Sequence, residues 1–189
     1  MKKQNKMKQG STFSFSGRDG EAAQRHGLIW VLFLIYLAAM TWIILFKFAV
    51  SPEQLPYIRS LNLIPFHESV IVNDRLDLSE ILMNGIIFVP FGIYLSILLS
   101  NGRFWVKFLA FAAVSLAYEI CQYAAAIGAS DITDVIMNCV GGCVGVAVYF
   151  VLRKLAGSQK RAERVVQILA GIGTVLMVML IAMTLIYNM

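Results

Sequence analysis

Charged residues are scarce in this chain, and their scarcity excludes the commonest class of protein. Asp, Glu, Lys and Arg make up 14% of the 189 residues, whereas hydrophobic residues make up 59%. A soluble globular domain carries about 25% charged residues and about 45–50% apolar ones. The sequence therefore predicts an integral membrane protein rather than a soluble domain.

Cysteine and histidine are also too few to build a cross-linked or zinc-dependent fold. The cysteines Cys121, Cys139 and Cys143 are odd in number, lie inside apolar stretches and lack metal-type spacing. These features argue against a disulfide framework and against a zinc site. The histidines, His26 and His67, are far apart in the sequence. The sequence identifies no cofactor and specifies no metal site. Because carboxylates lie near His67 in the sequence, binding of a hard cation there is left open.

Positive charge is gathered into a few short segments. The formal net charge is +5, and clustered Lys and Arg beside apolar runs suit anionic lipid headgroups better than nucleic acid. The lipid bilayer is therefore an expected partner, and nucleic acid is not.

Long apolar runs dominate the rest of the chain. Five of them approach the roughly 20 residues that cross a bilayer at 1.5 Å per residue, and they lie at about 28–50, 80–100, 104–127, 131–152 and 165–187. The fold class predicted is an all-α integral membrane protein, a bundle of five transmembrane helices. The predicted divisions are a disordered basic tail over 1–27, a four-helix membrane domain over 28–152 with an outer loop at 51–79, and a basic loop plus fifth helix over 153–189.

The distribution of Lys and Arg predicts the orientation. The segments 1–27, 101–107 and 153–164 carry six, two and five such residues, whereas 51–79 carries two and 128–130 none. Short basic loops stay on the cytoplasmic side. We therefore expect the N-terminus to be cytoplasmic and the loop at 51–79 to be outside.

Glu119 is the polar residue least easily explained by packing. An acid in the middle of a membrane helix opposes insertion by about 2.5–3.5 kcal/mol, and an apolar residue would fill the same space. Gln122 follows three residues later on the same helical face. The pair predicts a functional site.

The next predicted helix carries a second polar face. Asp131, Asp134 and Asn138 recur at helical spacing, and a three-residue turn at 128–130 would place this helix antiparallel to the one before it. We therefore predict that these side chains converge with Glu119 in one pocket open to the cell exterior. An N-cap role is an equally good interpretation of Asp131.

Small residues predict close helix contacts. Gly141-x-x-x-Gly145 is the pattern of tightly packed membrane helices, and a homo-oligomer through this glycine-rich fourth helix is left open. In the second helix, Pro90 removes a backbone hydrogen bond to Ile86, which predicts a kink.

An ordered set of motifs carries a resemblance to a known family. The motifs are Asn62-Leu-Ile-Pro65-Phe66, then Asn84 followed by Pro90-Phe-Gly92, then Glu119-x-x-Gln122, and finally Asp131-x-x-Asp134 followed by Asn138, Gly141, Gly142 and Gly145. In this order over residues 28–152 they resemble the VanZ-like family. The resemblance implies a small multi-pass protein of the bacterial plasma membrane that is associated with resistance to the glycopeptide antibiotic teicoplanin.

Two functions of different class fit the polar cluster. In the first, it binds a cell-envelope lipid, such as a lipid-linked cell-wall precursor, or the glycopeptide itself, through the ligand-binding candidates Asn62, Phe66, Asn84, Gln122 and Asn138. In the alternative, the chain is a membrane-embedded enzyme acting on a lipid-linked cell-wall precursor, with Glu119, Asp131 and Asp134 as acid and base groups.

The residues favour binding over catalysis. No Ser or Cys near the cluster has a histidine base beside it, so an activated nucleophile is not evident. A self-contained transporter is a third hypothesis, and five spans without an evident inverted repeat argue against it.

Overall fold

The computed structural model describes residues 17–46, 55, 57–66, 71–72, 75–76 and 79–187. This part of the chain contains five α-helices: α1 Gly17–Phe46, α2 Ser79–Leu98, α3 Phe104–Ala125, α4 Ile132–Ala156 and α5 Gln159–Tyr187. Each contains a stretch that is long and apolar enough to cross a membrane. The prediction of five such helices is confirmed.

Short strands make the all-α prediction incomplete. Strand β1 (Ile58–Asn62) pairs in parallel with β4 (Ile127–Asp131), and β2 (Ile71–Val72) pairs antiparallel with β3 (Arg75–Leu76). The predicted three-residue turn before α4 is therefore wrong, because that segment is β4. Extended backbone between two apolar helices needs partners for its N–H and C=O groups, and β1 supplies them.

Three helix boundaries also differ from the predicted ones. Helix α1 begins at Gly17, inside the segment predicted as a disordered tail, and only Gly157 and Ser158 separate α4 from α5. The predicted basic loop over 153–164 is therefore largely helical. Arg, Lys, Gln and Ala are good helix formers, and Gly157 ends α4 with a left-handed φ of 67°, as glycine commonly does.

Helices α2 and α4 make direct backbone contact. A Cβ atom on Gly141 would overlap the carbonyl oxygen of Gly85, and one on Gly145 would overlap that of Val89. Gly92 of α2 lies against the same stretch of α4. The predicted close packing at these glycines therefore takes place within one chain. A homo-oligomer through the same glycines would have to displace α2.

Aromatic side chains fill the space around this contact. Phe33 of α1, Phe91 of α2 and Phe111 of α3 are buried, and the centroid of the Phe91 ring lies 5.8 Å from that of Phe33 and 5.7 Å from that of Phe111. The Phe111 ring packs directly on Gly142. Such ring pairs add about 0.5–1.5 kcal/mol beyond the burial of their surface. The cluster joins all four helices of the predicted membrane domain.

Helix α2 runs through Pro90 without ending. The proline ring supplies no N–H for the carbonyl of Ile86. In the same turn, the Tyr36 hydroxyl of α1 donates a hydrogen bond of 2.6 Å to the carbonyl oxygen of Ile87. A side chain of the neighbouring helix thus binds the backbone where the proline weakens it.

The α2–α4 contact predicts a strong dependence of stability on two glycines. Gly141→Ala and Gly145→Ala should each lower the free energy of unfolding by about 1–3 kcal/mol, because the added methyl group forces two backbones apart. The measurement is unfolding of the purified protein in detergent, followed by circular dichroism. Gly171→Ala in α5 is the matched control, since a Cβ there meets nothing within 4 Å. Equal losses in all three variants would contradict the contact.

Candidate functional site

The pairing of β1 with β4 places Asn62 opposite Asp131. The Asn62 Nδ2 donates a hydrogen bond of 3.1 Å to Asp131 Oδ2, while its Oδ1 accepts one of 3.0 Å from the N–H of Ile64. Asn62 is buried. Both ends of its amide are therefore used to hold the loop after β1 against the start of α4.

Asp131 is the centre of this arrangement. Its Oδ1 accepts a hydrogen bond of 2.7 Å from the N–H of Thr133, which makes Asp131 the N-cap of α4. The N-cap interpretation is confirmed, and a cap of this kind typically contributes about 1 kcal/mol. Its backbone N–H donates a hydrogen bond of 2.9 Å to Glu119 Oε2. One residue thus connects α3, α4 and β1.

Glu119 lies on α3 and is turned inward. Its side chain is only 6% exposed, and its carboxylate accepts the Asp131 N–H described above. The Ser130 hydroxyl donates a hydrogen bond of 2.5 Å to the backbone carbonyl of Glu119. Asp134 is close enough for its charge to act on Glu119. We call Glu119, Asp131 and Asp134 the acidic cluster.

The loop that follows β1 folds over the start of α4. The N–H of Phe66 donates a hydrogen bond of 3.0 Å to Thr133 Oγ1. Phe66 has a left-handed φ of 62°, which is rare for a bulky residue and costs about 1–3 kcal/mol. Its side chain, like those of Leu63 and Ile64, is exposed. This loop therefore presents an apolar surface beside the acidic cluster.

Arg59 binds backbone carbonyl oxygens at the C-terminal end of α3. Its Nε donates to the Tyr123 carbonyl at 3.2 Å and its Nη2 to the Ala124 carbonyl at 3.1 Å, and its guanidinium carbon lies 5.6 Å from the centroid of the Tyr123 ring. A cation suits the C-terminus of a helix. Sequence reasoning missed Arg59, although a basic residue in a largely acidic loop was a signal.

A groove of about 220 Å³ with an apolar surface lies between β1, α3 and α4. Glu119 and Asp131 take part in its wall. The other lining residues are Leu61, Leu63, Leu116, Ile120, Tyr123, Ala124, Ser130, Ile132 and Val135. This groove, called the acidic groove below, can receive an apolar chain beside two carboxylates.

Other predicted site residues lie outside the acidic groove. Gln122 Nε2 donates to the Ile44 carbonyl at 3.0 Å near the end of α1, and Asn138 Nδ2 donates to Ser115 Oγ at 2.8 Å. Asn84 is half-buried on α2, beside the glycine contact. The predicted single pocket is therefore smaller than expected. It brings Glu119 and Asp131 together, whereas Gln122 and Asn138 join helices elsewhere.

Two predicted ligand-binding residues adjoin the acidic groove without lining it. Asn62 binds Asp131, and Phe66 lies over Thr133. His67 falls outside the described residues. Within the described part of the chain, no group of three or more His, Cys, Asp or Glu side chains is arranged to hold a metal ion.

Comparison with known proteins agrees with these motifs. The family model described as VanZ/LLP1 matches residues 33–153. Protein VanZ of Enterococcus faecium is 37% identical over 152 residues, which cover 79% of this chain and 88% of that protein. No solved structure matches. The matched region contains Asn62, the acidic cluster and the α2–α4 glycines, and the chain therefore belongs to the VanZ-like family.

Proposed function

We propose that the chain is a multi-pass protein of the bacterial plasma membrane, with a cytoplasmic N-terminus and the acidic groove at the outer surface. The distribution of Lys and Arg supports this orientation. The end of α3 and the start of α4 meet at the groove, and the basic junction between α4 and α5 lies at the opposite end of α4. The proposed topology therefore places the groove outside and the junction inside.

In this proposal the protein contributes to resistance against teicoplanin-type glycopeptides by binding a lipid-bearing ligand in the acidic groove. The ligand is a cell-envelope lipid or the antibiotic itself. The main support for the proposal is an apolar groove that has the acidic residues Glu119 and Asp131 directly beside it. An acyl chain fits the walls, since ligand sites are mostly apolar with a few placed polar groups.

The charge of the acidic groove determines which chemical groups of a ligand can lie beside it. Three acidic side chains, those of Glu119, Asp131 and Asp134, lie close together, while the nearby Arg59 is bound to the carbonyl oxygens of Tyr123 and Ala124. Carboxylates accept hydrogen bonds and repel other anions. The site therefore favours amine or hydroxyl groups over a phosphate.

An enzyme acting on a lipid-linked cell-wall precursor is the second candidate. It is favoured by one feature, the two carboxylates of Glu119 and Asp131 in the wall of one groove, because paired acids can divide acid and base roles. Their hydrogen bonds within the protein suit a binding site equally well. The two candidate functions differ in their effect on the lipids of the cell: the enzyme would produce a new lipid product, whereas binding alone would not.

Glu119→Gln should reduce teicoplanin resistance of cells expressing the protein to about the level of cells without it. The amide can still accept the Asp131 N–H, so the fold is kept while the ionisable carboxyl group is lost. Glu163→Gln is the matched control, because Glu163 is also 6% exposed and accepts a hydrogen bond from Gln159, on α5. The measurement is the minimal inhibitory concentration at equal protein abundance.

Two outcomes of that experiment would contradict the binding proposal. If Glu119→Gln confers resistance equal to Glu163→Gln, the acidic groove is not the site. If mass spectra of lipid extracts show a product that depends on the protein and disappears with Glu119→Gln, the enzyme candidate replaces binding.

Filling the acidic groove should block binding of labelled teicoplanin or labelled cell-wall lipid to the purified protein. Ile120→Trp places a large ring on the groove wall and should weaken binding of whichever ligand is used by about tenfold or more, a loss of at least about 1.4 kcal/mol. Leu109→Trp is the control, because Leu109 is exposed on the same helix and does not line the groove. Equal retention of label by both variants would place the ligand elsewhere.

The orientation can be tested by cysteine labelling in intact cells. In a variant lacking the native cysteines, Ser60→Cys in β1 should react with a membrane-impermeant maleimide, and Ser158→Cys between α4 and α5 should react only after permeabilisation. Both serines are exposed. The reverse pattern would invert the proposed topology.

A further inference from the structure

A second and larger cavity lies between α5 and the rest of the bundle. Its volume is about 380 Å³, and residues of α1, α2, α4 and α5 line it. Six of the lining residues are on α5: Val166, Leu169, Ala170, Gly173, Thr174 and Met177. Helix α5 follows the region matched by the family model, which ends at residue 153. We call this space the α5 cavity.

The α5 cavity is apolar and unfilled by the chain itself. From the other helices, Pro90, Ile93, Val148 and Leu152 contribute to its wall. A Cβ atom on Gly173 would meet nothing within 4 Å. Protein interiors are close-packed, and an apolar cavity does not hold water well. A hydrocarbon chain is the occupant that these walls suit.

Exposed positive charge is gathered at the α4–α5 junction, close in sequence to the lining residues Leu152 and Val166. The junction carries the exposed side chains of Arg153, Lys154, Lys160, Arg161 and Arg164 and one buried carboxylate, that of Glu163. Five cations and one acid leave a formal charge of +4 at this junction. Arg153 adjoins the lining residue Leu152 in sequence, and Arg164 precedes the lining residue Val166 by about 3 Å along the helix axis.

We propose that the α5 cavity binds one acyl chain of an anionic phospholipid whose phosphate is held by the basic residues of the α4–α5 junction. Cations near a membrane surface each add about 1 kcal/mol of attraction to anionic lipid, and the apolar walls accept the chain. The inference shares with the proposed function only the insertion of the protein into a bilayer. It does not depend on the acidic groove.

The test is titration of the full-length protein, purified in detergent, with dioleoyl phosphatidylglycerol and with dioleoyl phosphatidylcholine, followed by native mass spectrometry. The two probes have the same acyl chains. Phosphatidylglycerol should bind saturably and about tenfold more tightly than phosphatidylcholine. Arg161→Gln combined with Arg164→Gln should reduce this preference to about threefold or less.

Substitutions at two glycines of α5, one in the cavity wall and one outside it, test the cavity itself. Gly173→Leu should lower the affinity for phosphatidylglycerol by about tenfold, whereas Gly171→Leu, outside the cavity wall, should leave it unchanged. Circular dichroism checks that both variants remain folded. Equal affinity of the two lipids, or equal effects of the two leucine substitutions, would overturn the proposal. Loss of lipid binding with full teicoplanin resistance would separate this site from the acidic groove.

Discussion

The contacts of Asp131, which join it to Glu119, Asn62 and Thr133, are the constraint on which the described site depends. A carboxylate in an apolar helix needs hydrogen-bond donors, because burial without them is costly. Here the donor comes from the backbone that leads into the next helix. The same residue binds Asn62 and caps α4 through Thr133. The need of the buried Glu119 carboxylate for a donor therefore helps to determine how α3, β1 and the start of α4 meet.

This local network needs a rigid frame, and the α2–α4 contact supplies it. Gly141 and Gly145 allow the backbone of α4 to lie against that of α2. Small residues stabilise membrane helix pairs through close packing and not through the hydrophobic effect, which is weak between helices surrounded by lipid. Asn138 adds a hydrogen bond from α4 to Ser115 of α3. Helix α4 is thus fixed on two sides, and two members of the acidic cluster, Asp131 and Asp134, lie at its N-terminal end.

The sequence was informative where a pattern is local and less so where contacts join distant segments. The helices were predictable from the length of their apolar runs, and the proximity of Glu119 to Asp131 from the short segment between them. The pairing of Asn62 with Asp131 was not predictable, because parallel strands far apart in the chain leave no periodic signal. The same reason explains why Arg59 was missed. The extension of α4 and α5 was underestimated because basic residues were assigned to a loop, although they favour helices.

The two cavities differ in the charged residues that lie near their apolar walls. One brings apolar walls together with carboxylates, and the other has apolar walls and cations beyond one end. In the proposed orientation they lie towards opposite membrane surfaces, and the two proposals assign them different headgroups. The acidic groove owes its shape to the contacts of Asp131. The binding proposed there therefore depends on a structural network that includes two acid–base candidates, Glu119 and Asp131, and one ligand-binding candidate, Asn62.

The most direct test of this account is a double-mutant cycle between Asn62→Ala and Asp131→Ala, measured as the free energy of unfolding in detergent. The loss of the α4 cap affects both Asp131 variants equally and cancels in the cycle. We expect a coupling energy of about 0.5–3 kcal/mol, the range for residues in direct contact within one network. Additive effects, with a coupling near zero, would contradict it.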